Sequence, residues 1–529
     1  MATVVGMSRQ ITSATTLVAV AFSVSTVLAG CVPGLAADPR FATNSGARPQ
    51  GAATTKPPPS GPPPIAAPKN DLSWHDCTSR VFTDAAVRPA PGVQLDCANY
   101  DADLDPNGGS GTVSIGVVRA RSNQTPHDAG PLVFTTGSDL PSSTQLPVWL
   151  TRAGADVLQT HPIVAVDRRG IGMSSPLDCR DHFDRQEMRD QAQFQTGDDP
   201  VANLSDVSNN ATTNCTDAIA PAGDSAYDNA HAASDIERLR NLWDVPALAL
   251  VGIGNGAQVA LTYAASRPDK VARLILDSPV ALGVNAEAAA EQQVKGQQAA
   301  FDAFAAQCVA VNCALGPDPK GAVSALLADA RAGKGPGGAS VAEVANAITV
   351  ALGFPSGGRV DTTTSLANAL ATARSGDTNQ LNSLISRADA TQDSDGQFVN
   401  SCSDAINRPT PDRVRELVVA WGKLYPQFGT VAALNLVKCV HWPTGSPPPT
   451  PKDLKVDVLL SGVQNDPIVG TEGVAQTAAT IINANAASKR VMWQGIGHGA
   501  SIYSPCAVPP LIGYLSSGKL PETDTYCPA

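Results

Sequence analysis

The chain has 529 residues, 43% of them hydrophobic, and a formal net charge of −11 with no long basic run. That length suits one large domain with an insertion, or two or three smaller ones. Phosphate recognition needs clustered Lys and Arg, so nucleic acid is not an expected partner.

In chain order, the N-terminus reads as an export signal. Arg9 supplies a thin positive start, and Thr16 to Leu28 is a run of apolar and small residues too short for a comfortable membrane span. Met7 is an alternative start that would give a tidier signal. Leu28-Ala29-Gly30-Cys31 resembles the lipobox of bacterial lipoproteins. That resemblance implies a lipoprotein signal peptide over residues 1–31, with Cys31 lipidated as the first mature residue and a membrane contact through its acyl chains. A plain secretory peptide with an incidental cysteine is the alternative. Residues 32–70 are rich in Pro, Ala, Gly and Thr, including Lys56-Pro57-Pro58-Pro59 and Pro62-Pro63-Pro64. Such a segment cannot bury enough apolar surface to fold and favours an extended polyproline conformation, so a disordered spacer is expected.

Of the 11 cysteines, those beyond Cys31 are Cys77, Cys97, Cys179, Cys215, Cys308, Cys313, Cys402, Cys439, Cys506 and Cys527. An even number in an exported chain points to disulfides, and the absence of any C-x-x-C pair makes zinc a poor alternative. Connectivity stays open at this level, with pairing of sequential neighbours the simplest choice.

Folded structure is expected from about Leu72. Strands are predicted at Gly111–Val118, Pro131–Thr135, Pro162–Asp167, Ala247–Gly252, Ala272–Asp277, Val456–Gly462 and Arg490–Gln494, with helices at Ala230–Leu242 and Ala257–Ser266. Short β-rich runs alternating with helices argue for an α/β fold with a mostly parallel sheet covered on both faces. Over residues 281–400 the strand signal vanishes. Ala286–Cys308, Gly321–Ala332, Val341–Leu352, Thr364–Ser375 and Thr378–Ala388 look helical, with glycine-rich breaks between several of them. This stretch reads as a helical cap inserted between two parts of the core, 71–280 and 401–529.

The chemistry centres on Leu248 to Gln258, an apolar strand, a sharp glycine-rich bend and a helix. That is the setting of the nucleophile elbow G-x-S-x-G. Here the pentapeptide is Gly252-Ile253-Gly254-Asn255-Gly256, so the serine position holds Gly254. Further on, Asp466 follows the strand ending at Gly462, and His498 lies in Gly495-Ile496-Gly497-His498-Gly499. Nucleophile, acid, histidine is the chain order of α/β-hydrolases. Both loops fall at carboxyl ends of strands, where sites in open α/β sheets collect. His498 would accept a nucleophile's proton while Asp466 fixes its tautomer.

On these motifs the chain resembles the TAP-like (tripeptidyl aminopeptidase-like) α/β-hydrolases, exported bacterial serine exopeptidases and their relatives, over most of residues 75–529. Asp167-Arg168-Arg169-Gly170-Ile171-Gly172-Met173-Ser174 resembles their D-x-R-G-x-G-x-S loop. Asp235 to Arg240 resembles the helix before the elbow strand, and Arg267 to Asp277 the strand after it. Cys402-Ser403-Asp404, Cys439-Val440-His441-Trp442-Pro443 and the ending from Gly497 through Cys506 to Cys527 resemble later parts of the family. The resemblance implies an α/β-hydrolase fold with an inserted helical cap, and a cleft for peptides with free N-termini. It also marks departures. Family members carry Ser where this chain has Gly254, and a Gly-Gly-Pro-Gly-like oxyanion turn where it has Thr136-Gly137-Ser138-Asp139. A Thr-Pro that often follows the acid is replaced by Val469-Gly470.

Oxyanion-hole candidates are Asn255 and Gly137, but a carboxylate at Asp139 would repel a developing oxyanion. Changes at several positions read as a chain released from catalytic demands. The expectation is therefore an inactive or strongly impaired hydrolase whose cleft binds a peptide or acyl ligand. The alternative is an active peptidase or esterase using another attacking group, with Ser278 or activated water as the candidates, and Ser138 and Ser174 given less weight. Asp167 and Arg169 read as loop-stabilising residues. His75, His127, His161, His182, His231 and His441 show no metal-ligand spacing, and neither metal nor cofactor is expected. No protein partner is named by the sequence.

Overall fold

In the computed structural model, residues 62–105, 111–191, 197–219, 223 and 226–529 are described. Cys31 and the segments through residue 61 that were expected to be a signal peptide and spacer lie outside them. The described part of the spacer corrects one expectation, because the chain is pinned ahead of Leu72. Pro63 carbonyl accepts from Arg273 Nη1 at 2.9 Å, and Lys69 N–H donates to Trp243 carbonyl at 2.9 Å. An extended proline-rich strap keeps its carbonyls free, and the buried Arg273 uses one of them.

The described strands are β1 (His75–Asp76), β2 (Val93–Asp103), β3 (Thr112–Ser122), β4 (Leu132–Thr135), β5 (Ile163–Val166), β6 (Leu248–Ile253), β7 (Val271–Asp277), β8 (Val458–Asn465), β9 (Ser488–Ile496) and β10 (Thr525–Cys527). They form one 10-stranded sheet in the order β1-β2-β3-β5-β4-β6-β7-β8-β9-β10. From β5 through β10 every pairing is parallel, while β1, β2 and β3 add on antiparallel. All seven expected strands are present within a few residues of their predicted limits. β6 and β7 are buried along their whole length, which is why they read as unbroken apolar runs rather than alternating ones.

β2 was not anticipated. Its sequence holds Asn99, Asp101 and Asp103, residues depleted in strands, yet it pairs with β3 from Val93↔Ser122 to Asp103↔Thr112. Pairing and the burial of Leu95, Cys97 and Tyr100 make the strand, not intrinsic propensity. Two apolar layers cover the sheet. One contains Trp243, Tyr263 and Ile481, and the other Trp149, Phe134 and Tyr514.

Between β7 and β8 the chain is helical. Helices span Ala286–Ala310, Pro319–Arg331, Val341–Gly353, Arg359–Arg374 and Asn379–Gln392, where a cap was expected. The expected limit at residue 400 is corrected: helix Asp395–Asp404 runs across it, and Pro411–Leu424 and Gly429–Asn435 follow. Trp421 and Phe428 pack in the same core as Phe301, Phe304 and Leu370, joined by Val201 and Leu204 from helix Pro200–Ile219. Pro409 and Pro411 resemble a break in the sequence. In the structure Pro411 instead opens a helix capped by Thr410, whose hydroxyl accepts from Arg413 N–H at 3.3 Å.

The described cysteines form the disulfides Cys77–Cys97, Cys179–Cys215, Cys308–Cys313, Cys402–Cys439 and Cys506–Cys527, each between sequential neighbours. No described helix is long and apolar enough to cross a membrane.

Candidate active site

The bend between β6 and helix Asn255–Ser266 is a sharp strand-to-helix turn. Gly254 sits at its apex with φ 58° and ψ −121°, and its N–H donates to Asp277 carbonyl at 2.9 Å. A side chain at such a positive φ costs about 1–3 kcal/mol, and glycine meets the geometry without a Cβ clash.

Asp466 and His498 converge on this apex from the carboxyl ends of β8 and β9. The Asp466 carboxylate lies 3.0 and 3.2 Å from His498 Nδ1. It also accepts from Ile468 N–H at 2.9 Å and Val469 N–H at 3.2 Å, which fixes its orientation. His498 is buried, and Phe354 from the helical layer meets its ring edge-on at 5.8 Å between centroids. The loop carrying His498 is anchored by Asp277 at the end of β7. That carboxylate accepts from Ala500 N–H at 2.9 Å, Ser501 N–H at 2.7 Å and Ser501 hydroxyl at 2.6 Å.

A Cβ built on Gly254 would lie 2.6 Å from His498 Nε2, so the apex faces the imidazole. The same Cβ would lie only 1.9 Å from Asp139 Oδ2. The Asp139 carboxylate thus fills the volume that a nucleophile's side chain would occupy. Its Oδ2 accepts from Asn255 N–H at 2.6 Å and lies 3.6 Å from His498 Nε2. Asn255 N–H follows the apex and is the donor that an elbow offers to a tetrahedral oxyanion. Asp139 therefore sits where the carboxylate of a cleaved product would sit, with one oxygen on the oxyanion donor and the same oxygen facing the imidazole.

Asn255, a candidate from sequence, has its N–H at this place, already engaged. The Gly137 candidate lies against Asn255 and Gly256, but its N–H is turned to another partner. Its N–H donates to Thr135 Oγ1 at 3.2 Å, inside its own turn. Gly137 is needed for a different reason: a Cβ on it would strike Asn255 Oδ1 at 2.4 Å. The loop is held from two sides. Asn255 Oδ1 accepts from Ser138 N–H at 3.1 Å and from Arg168 Nη1 at 2.8 Å. From helix Asp395–Asp404, Gln397 Nε2 donates to the carbonyls of Ser138 at 3.2 Å and Asp139 at 3.1 Å. Arg168, Asp277 and Gln397 were not singled out as site residues from sequence. The D-x-R motif was the only signal for the first of them.

Electrostatics follow from the two carboxylates that flank the imidazole. Burial alone would push His498 down, but Asp466 and Asp139 override it and raise the pKa to about 10. His498 is then an imidazolium at neutral pH, with no lone pair on Nε2 for a proton. Its folded value lies above the roughly 6.5 of an unfolded histidine, so its stabilising contribution is complete below about pH 6.5. The contribution is lost as pH rises towards about 10. Denaturation curves at about pH 6 and about pH 10 should show this decline, and Asp139→Asn should make it shallower. Equal declines in both proteins would mean that Asp139 takes no part.

His498 Nε2 has no hydrogen-bond partner among the described residues, and no hydroxyl reaches it. Ser278, at φ 46°, accepts from Gly499 N–H at 3.3 Å. Ser174 accepts from Gly116 N–H at 2.8 Å and donates to Asp167 carbonyl at 2.7 Å. Asp167 accepts from Ser143 N–H at 2.8 Å and Met173 N–H at 2.7 Å, tying its loop to the sheet. Among the other histidines, His231 pairs with Asp228, His161 contacts Gly130 carbonyl and His441 contacts Ser205, while His75, His127 and His182 are exposed. The one compact group with metal-ligand atoms among the described residues is Cys179, Cys215 and Asp395. Its sulfurs are joined as a disulfide and offer no thiolate.

From Ser138 and Asp139 a cleft of about 280 Å³ extends beneath the helical layer to Asn435 and Lys438.

Known proteins place this geometry in context. Residues 145–320 match the model described as alpha/beta hydrolase fold, and residues 425–527 the model described as TAP-like protein. Serine protease Hip1 of Mycobacterium tuberculosis is 26% identical over 275 residues, so the chain spans about half (50%) of that protein's length with 50% of its own. Carboxylesterase B of Mycobacterium tuberculosis is 24% identical over 519 residues, covering 91% of this chain and 95% of that one. Among solved structures, a bacterial membrane phospholipase A is 13% identical with a TM-score of 0.36, covering 83% of this chain and 90% of that chain. An esterase from Thermogutta terrifontis is 15% identical with a TM-score of 0.36, covering 79% and 99%. The sheet order, the elbow and the family-model matches together make this chain an α/β-hydrolase-fold protein, similar over its C-terminal part to TAP-like proteins.

Proposed function

We propose that this chain is an exported α/β-hydrolase-fold protein that has given up serine-hydrolase chemistry and uses its cleft to bind a small peptide or acyl ligand without turnover. The observation that carries this reading is the Asp139 carboxylate at the elbow, 2.6 Å from Asn255 N–H and 3.6 Å from His498 Nε2. It stands in the place of the hydroxyl, occupies the oxyanion donor and holds the histidine protonated. Three requirements of acyl transfer are unmet at once: a nucleophile, a free base and an open oxyanion hole. Relatives described as a serine protease and a carboxylesterase support a cleft built for peptide or ester ligands. Export is supported by the lipobox-like Leu28-Ala29-Gly30-Cys31 and by a described chain whose cysteines are all oxidised, as is usual outside the cytosol.

An active hydrolase would need another attacking group. Ser278 is hydrogen-bonded to Gly499 rather than to the imidazole, and water activation needs a neutral His498, which the pKa of about 10 opposes at physiological pH. Purified protein is expected to remain unlabelled by a fluorophosphonate probe and to leave peptides and p-nitrophenyl esters intact. Labelling that maps to one side chain of the cleft would overturn the proposal.

A further inference from the structure

The cleft beneath the helical layer contains an unusual imbalance of partners. Most of its charge is internally matched. Arg180 Nε lies 2.8 Å from Asp395 and its Nη1 3.1 Å from Asp393, while Arg189 Nη1 lies 3.0 Å from Asp389. Lys438 is different. It is half-buried, lines the same cleft, and its ammonium has no hydrogen-bond or ion-pair partner among the described residues. The charges that act on it are those of Asp393, Arg180 and Arg189, all of which line the same cavity. Burial pushes its pKa below the ordinary lysine value, and the two arginines act in the same direction against the opposing pull of Asp393. A cation with those surroundings and no partner is unfavourable, and a bound anion would relieve it.

The rest of the lining restricts which anion. Gln293, Gln297, Asn346 and Gln392 present neutral amides that both donate and accept. Asp139, Asp389 and Asp393 share the cavity and disfavour a dianion such as phosphate. At about 280 Å³ the space is at or just below the small end of ligand sites, which run from about 300 to 1,000 Å³.

We infer that the cleft binds a small monocarboxylate, with Lys438 as the counter-ion for the ligand's carboxylate and the amide-bearing walls meeting its polar body. This rests on the reading of a cleft that binds without turnover and names the ligand chemistry for it. Two sources share that chemistry, the free C-terminus of a short peptide and a simple alkanoate.

The test is calorimetric titration of the purified chain with tri-alanine, tri-alanine amide and hexanoate, each mixture then checked for cleavage by mass spectrometry. At least one free carboxylate should bind saturably. Tri-alanine binding tenfold or more tighter than its amide identifies a peptide terminus, while hexanoate alone identifies an alkanoate. Lys438→Met should weaken the carboxylate ligand at least tenfold, and Lys438→Arg should retain most of the binding. Thermal unfolding of both variants reports whether they fold. The amide comparison on the unaltered protein needs no variant at all. Absence of saturable binding by any carboxylate, or unchanged affinity in a folded Lys438→Met protein, overturns the inference. Cleavage of tri-alanine would overturn the silent reading instead, and the role of Lys438 would then be read from the tenfold change in KM.

Discussion

Serine introduced at residue 254 alone is expected to leave the protein silent, whereas Gly254→Ser combined with Asp139→Ala is expected to restore fluorophosphonate labelling and ester hydrolysis. The reason is spatial. Even the Cβ of the new residue would fall 1.9 Å from Asp139 Oδ2, so that carboxylate must be displaced from its bond to Asn255 N–H before the hydroxyl can take its place. The electrostatics point the same way, because Asp139 helps to keep His498 protonated and therefore unable to accept the serine proton. Removing it frees Asn255 N–H for an oxyanion as well.

A triad nucleophile is worth about 10⁶-fold in turnover, and one oxyanion donor about 10²–10³-fold. Gly137 N–H remains engaged with Thr135, so only part of that range is recoverable. An increase of about 10³-fold over the single variant is the expected result. Stability should follow the same coupling. The single variant should lose about 1–3 kcal/mol from strain and overpacking, and the second substitution should return part of it, with a coupling of about 0.5–3 kcal/mol. Activity in the single variant equal to that of the double would show that Asp139 does not block the apex.

The largest expected loss of stability lies elsewhere, at Arg169. Its side chain is fully buried at 0% exposure. Nε and Nη2 bond to Asp235 at 2.8 and 2.6 Å. The carbonyls of Leu104 and Ala226 at 2.8 Å and of Asp103 at 3.0 Å take its other donors. One guanidinium thereby ties the end of β2 to the helix Asn229–Trp243 that precedes the elbow strand. Truncation strands the Asp235 carboxylate in the interior, so Arg169→Met should cost about 3–5 kcal/mol, read as a shift of the urea unfolding curve. Arg169→Lys should recover little, because an ammonium cannot reproduce the planar fork. Replacing both partners by apolar residues should cost less than replacing Arg169 alone. A double variant as unstable as the single one would contradict this account.

How much of this could be seen in the sequence varied by element. The central strands were legible because strands buried on both faces must be continuous apolar runs, as in Leu248–Ile253. β2 was hidden by its polar residues, and the helices beyond residue 400 by prolines that look like breaks. At the site, Gly254, Asp466 and His498 were legible because chain order and strand ends set them apart, and the structure brings these three together. The position of Asp139 was only half legible. Sequence placed an acidic residue in the oxyanion turn, but whether its side chain points outwards or onto the elbow depends on the turn's conformation, and that is set by Asn255 and Gln397 from distant segments. Lys438 gave no signal, since an unpaired cation becomes apparent only when its neighbours in space are known.

The two margins of the sheet close with unusually short strands, His75–Asp76 and Thr525–Cys527, each beside or within a disulfide, Cys77–Cys97 and Cys506–Cys527. An unpaired strand is a template for another molecule's backbone. These clasps cover Asp96 and Cys97 of β2 and Val491 to Trp493 of β9. In a reducing environment the margins would loosen while the interior strands stayed folded, and the chain would become prone to self-association before it became unfolded. Oxidised cysteines are thus what holds the rims of the sheet closed.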